Sequence, residues 1–112
     1  MVEYSLQLDS VFGSLADPTR RDILRRVARR QLSVGQIAAD YDLTFAAVSK
    51  HLKILEKAKL IIKRRHGKQQ LVQLAPRAFA SADEYLEWYR QLWENRLDSL
   101  EEYLEQSKGG SA

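Results

Sequence analysis

The chain has no cysteine. That excludes disulfides, thiolate metal sites and thiol redox sensing in one step. It also has no run of about 18 apolar residues, so no membrane-spanning helix is expected. No basic segment followed by an apolar one stands near Met1, so no secretion signal is expected. The expected compartment is the cytoplasm. Only two histidines are present, both inside basic stretches, which leaves little for nucleophilic catalysis. A glycine-rich phosphate loop of P-loop type is missing too. An enzyme is therefore not expected, and neither a cofactor nor a metal is implied.

What is present is positive charge, unevenly placed. Residues 1–75 carry 14 Lys/Arg against 7 Asp/Glu, whereas residues 76–112 carry 4 against 8. Between Lys50 and Lys68 there are eight basic residues and a single acid, Glu56. So dense a cationic segment in a chain of net charge +3 suggests a polyanionic partner, or else a solvated charged face.

The chain reads as 112 residues of one small domain, taken as 1–107, with residues 108–112 as a disordered tail. Leu8, Val11, Phe12 and Leu15 have helical spacing and predict a first helix over about 4–15. Asp17 followed by Pro18 is a helix start. That helix runs to about Arg29, with Ile23, Leu24, Val27 and Ala28 as its buried stripe and the arginines elsewhere. Ser33 caps a short helix, Val34 to Tyr41. Asp42-Leu43 turns the chain, and Thr44 caps a helix ending near Lys57. Leu43 and Val48 are placed to close the corner. Two short helices joined by a tight turn over about 33–57 match a helix-turn-helix.

The second of these helices, Thr44 to Leu55, is the most informative segment. Val48, Leu52 and Leu55 share one face. Ala46, Ser49, Lys50 and Lys53 share another, which is short-chained and cationic and suits a DNA groove. Two β-like runs follow, 60–65 and 69–74, with Gly67 between them supplying a turn. This hairpin, about 60–75 and tipped by Arg64, Arg65, His66 and Lys68, is a wing. A long last helix is expected over about 81–106. Leu86, Tyr89, Trp93, Leu97, Leu100 and Leu104 follow a near-heptad seam. Tyr85, Trp88, Leu92 and Tyr103 add a second strip. Two apolar strips exceed what a small monomer covers, and the excess predicts a homodimer. The aromatic residues at its start suit either an interface or a small-molecule pocket.

The fold class is thus mainly α with a small β-hairpin: a winged helix-turn-helix with a long C-terminal helix. Three stretches carry a family resemblance: 15–24 (Leu-Ala-Asp-Pro-Thr-Arg-Arg-Asp-Ile-Leu), 32–38 (Leu-Ser-Val-Gly-Gln-Ile-Ala) and 47–55 (Ala-Val-Ser-Lys-His-Leu-Lys-Ile-Leu). In this order they resemble the ArsR/SmtB-type winged helix-turn-helix regulators, over roughly residues 8–106. The resemblance implies a dimeric, cytosolic transcription regulator, usually a repressor that binds an inverted repeat and releases it on a signal. Metal-sensing relatives carry a Cys-Val-Cys pattern where this chain has Ser33 and Gly35. Others use Asp and His on the last helix, where this chain has Asp83, Glu84 and Glu87 and no His beyond His66. The chain looks like the cysteine-free branch. Phe45 is a further departure, since relatives often have a polar residue there; it touches a thymine methyl or packs at the helix start.

On this reading Ala46, Ser49 and Lys50 read bases, while Thr44, His51, Lys53, Arg64, Arg65 and Lys68 hold the DNA backbone. For His51, local packing is the competing role. Leu8, Phe12, Trp93, Leu97, Leu100 and Leu104 form the dimer interface. The partners are double-stranded DNA and a second copy of the chain. The rival reading is a winged helix used as a protein–protein module with only non-specific DNA affinity.

Overall fold

Single polar residues set the helix starts of this chain. In the computed structural model, which describes residues 2–110 and the side chains of 6–108, Asp17, Ser33 and Thr44 each occupy an N-cap. Each accepts a hydrogen bond from the backbone N–H three residues on, which satisfies a donor the helix itself leaves unpaired. Ser33 goes further: the Gln36 side chain returns a bond to the Ser33 N–H, completing a capping box. The resulting elements are α1 (Val2–Leu15), α2 (Pro18–Arg29), β1 (Leu32–Ser33), α3 (Val34–Asp40), α4 (Phe45–Lys57), β2 (Ile61–His66), β3 (Gln69–Leu74) and α5 (Ala80–Gly110).

The chain divides into two compact units, Met1–Ser81 and Ala82–Ala112. The core of the first takes Val11 from α1, Ile23 from α2, Ile37 from α3, Val48, Leu52 and Leu55 from α4, and Val72 from β3, each no more than 1% exposed. Gln7 on α1 donates to the carbonyl of Ala58, just past the end of α4.

Four local expectations change. The sheet has three strands in the order β1-β3-β2, not a hairpin alone, because Leu32 and Ser33 pair antiparallel with Val72 and Leu71. Ala28 is exposed; with Leu24 and Leu74 it lines an open apolar recess of about 280 Å³. Leu43 does not close the helix-turn-helix corner, being 39% exposed. Tyr41, at the end of α3, is instead tied back to α2. Its hydroxyl donates to Asp22, and the Arg26 guanidinium lies 5.4 Å from its ring centre while also pairing with Asp40. Burial, and then the bond to Asp22, push the Tyr41 phenol above its ordinary value. Finally, Lys108, Gly109 and Gly110 are helical rather than a tail, since each added residue of an existing helix gains a backbone bond. Ser111 and Ala112 lie outside the described residues.

Helix α4 ends in a turn with an unusual residue. Lys59 has φ 63°, in the left-handed region. The Lys59 N–H bonds to Glu56 O at 2.9 Å and the Leu60 N–H to Leu55 O at 3.1 Å. This is a Schellman turn with lysine where glycine is usual. It delivers the fully buried Leu60 and the start of β2.

The second unit is helix. Arg90 pairs with Asp83 at 3.6 Å and with Glu87 on α5 itself. Trp88 and Tyr89 meet edge to face at 4.8 Å, as do Tyr85 and Tyr89 at 5.1 Å. Neither apolar strip is covered: Trp88, Trp93 and Tyr103 are more than 60% exposed. No helix among the described residues is long and apolar enough to cross a membrane.

Candidate nucleic-acid interface

The residues expected to touch DNA sit on two elements of the first unit, α4 and the β2–β3 wing. The back of α4 is fixed by Val48, Leu52 and Leu55 in the core. Its front is open: Ala46, Lys50 and Lys53 are exposed and Ser49 is half-buried. Thr44 is exposed, with its Oγ1 accepting from Ala47 N at 3.1 Å.

His51 is different. Its side chain is 22% exposed. Nδ1 lies 3.3 Å from an Arg20 guanidinium nitrogen and 3.9 Å from Asp17. A guanidinium only donates, so in this contact Nδ1 is the acceptor and Nε2 is the ring nitrogen left to donate. Asp17 in turn has its carboxyl held below the ordinary value, first by the bond from the Arg20 N–H and then by the Arg20 charge. Arg20 also donates to the Ser14 and Gly13 carbonyls, so it joins the end of α1, the start of α2 and the middle of α4. The sequence places Arg20 only with the arginines outside the buried stripe of α2. The signal was its place three and four residues before Ile23 and Leu24, on the face that α2 buries.

The wing turns at Gly67-Lys68, between His66 and its partner Gln69. Gly67 has φ 63° at the first of two turn positions, the place where a type II′ hairpin turn needs glycine. Arg64, Arg65, His66 and Lys68 are all exposed. Successive strand residues point to opposite faces, so Arg64 and Arg65 serve different sides of the ribbon. At the root of the wing Lys63 pairs with Glu56 at 3.4 Å. The lone carboxylate of the basic segment is thereby neutralised by a half-buried lysine, which leaves the outward residues uniformly positive.

The proposed interface residues of the dimer lie on α1 and α5. Phe12 is 40% exposed and Leu8 half-buried. On α5, Trp93, Leu97, Leu100 and Leu104 are 51–63% exposed. Among the described residues no three His, Asp or Glu side chains come together to share a metal ion.

A helix-turn-helix followed by a basic wing defines a winged-helix DNA-binding protein. The comparisons narrow this. Residues 17–63, from the cap of α2 into β2, match the model of the bacterial regulatory protein, arsR family. The HTH-type transcriptional regulator Rv2034 of Mycobacterium tuberculosis is 41% identical over 65% of this chain and 68% of its own. The transcriptional repressor SdpR of Bacillus subtilis is 35% identical over 54% of this chain and 67% of its own. The solution structure of the homodimeric winged helix-turn-helix DNA-binding domain of Mb0332 from Mycobacterium bovis is 26% identical and superposes with a TM-score of 0.61. That match covers 77% of this chain and 82% of that one. The chain belongs to the ArsR family of bacterial regulatory proteins, and it is a DNA-binding transcriptional regulator.

Proposed function

We propose that the protein is a repressor that binds an inverted-repeat operator as a homodimer in the cytoplasm. The observation that carries this reading is the two-faced α4, with its apolar side no more than 1% exposed and its cationic side open. Such a helix enters the major groove with its first turns toward base edges. Ala46 allows close approach, Ser49 pairs with a donor or an acceptor, and Lys50 donates to guanine O6 or N7. Thr44, Lys53, Arg64, Arg65 and Lys68 hold phosphates, and His51 contributes its Nε2–H while Arg20 holds the ring.

Homodimerisation is supported by the uncovered apolar residues Trp93, Leu97, Leu100 and Leu104, with Leu8 and Phe12, and by the homodimeric Mb0332 domain. A two-fold dimer matches an inverted repeat. The repressor role is supported by the name of the Bacillus subtilis relative.

Selection of bound duplexes from a random DNA pool at physiological salt tests the proposal. The expected product is an inverted repeat with half-sites about one helical turn apart. A pool that stays random, with only weak, salt-sensitive binding, would reduce the basic face to a generic electrostatic patch.

A further inference from the structure

We propose that Phe45 is a sequence-reading residue that selects a thymine through its C5-methyl group. The inference rests on the placement of α4 in the major groove. By spacing, Phe45 belongs to the stripe of Val48, Leu52 and Leu55, whose members are no more than 1% exposed. Yet Phe45 itself is 62% exposed. The buried stripe of α4 begins one turn after it, at Val48, and Phe45 stands exposed at the first position of the helix.

There it lines a groove of about 430 Å³. The same groove is lined by Lys68, Gln69 and Gln70 at the wing and by Ser33, Val34 and Gly35 at the start of α3. An aromatic ring so exposed on a polar, cationic face gains from burial only if the partner offers apolar surface there. In the major groove the thymine methyl is the apolar group that the four bases offer. The neighbouring groups suit the same base pair's surroundings. Lys68 supplies a cation for phosphate, and the glutamine amides supply donors for an acceptor such as thymine O4.

The test is a thymine-by-deoxyuridine scan of the enriched operator, which deletes one methyl at a time and leaves the base pairing intact. In the wild type one thymine per half-site is expected to matter, with binding weakened about four-fold when its methyl is removed. Phe45→Ala abolishes that sensitivity at that position alone. Phe45→Leu, which keeps an apolar side chain, retains it. The proposal is overturned if no thymine is methyl-sensitive, or if Phe45→Ala weakens every duplex equally and leaves the deoxyuridine penalties in place. If no operator is enriched at all, the groove placement of α4 fails and this inference fails with it. An enriched operator without methyl sensitivity removes the Phe45 role only.

Discussion

Lys59→Gly should make the protein more stable. Lys59 holds φ 63° at the end of α4, and a residue with a Cβ is held there against a penalty of roughly 1–2 kcal/mol. Glycine removes that penalty but gives the unfolded chain extra freedom, at about 0.5–1 kcal/mol. The two Schellman bonds are made by backbone atoms and survive the substitution. The net lies between about 0 and 1.5 kcal/mol, centred on a gain of roughly 0.75 kcal/mol, or about 3–5 °C in Tm for a domain of this size. The assay is urea unfolding at one fixed protomer concentration, because self-association would otherwise shift the midpoint. Lys59→Ala is the control: it removes the same charge and keeps the Cβ, so it should not stabilise. If alanine and glycine raise the midpoint equally, the effect is charge relief in the basic segment and the strain argument is wrong. If glycine lowers it, the turn is not under strain.

Four further outcomes are expected. Ser33→Ala should cost about 1–2 kcal/mol in the same unfolding assay, since it removes an N-cap and half of a capping box at a buried position. Lys50→Ala should cost roughly 1–3 kcal/mol on the operator and relax specificity at one base pair, whereas Arg64→Ala should weaken all duplexes alike and flatten the salt dependence by about one unit; titrations against operator and random DNA at several salt concentrations separate them. Trp93→Glu or Leu97→Glu should sediment as monomers and lose operator binding, while dimers in both cases would move the interface to another face. Tyr41 has a raised folded pKa, so it binds its proton more tightly when folded. The stability linked to it is complete below its ordinary value of 10.0 and is lost as pH rises through the higher folded value. Tyr41→Phe should therefore flatten the alkaline loss of stability, measured as the urea midpoint between neutral and alkaline pH.

The features readable in the sequence were those set by neighbours in the chain. Asp17-Pro18, Ser33 and Thr44 act on N–H groups three residues away, so their types alone announce the helix starts. The buried face of α4 follows from helical spacing for the same reason. The missed features depend on distant partners. Leu32-Ser33 is a strand only because Val72 and Leu71, some forty residues on, supply its ladder. Arg20 shares no motif with His51; the fold brings them together. The same spacing that placed Val48 inside would also have buried Phe45, because periodicity marks a stripe but not where the core stops. On α5 both strips satisfy helical spacing, so the pattern alone does not choose between them.

Ser33 belongs to two elements at once. It is the last residue of β1, opposite Leu71, and the residue that caps α3. The root of the wing and the entrance to the helix-turn-helix are therefore mechanically one joint. A pull on the first turn of α3 must either carry β3 with it or break the Leu32–Val72 and Ser33–Leu71 pairings.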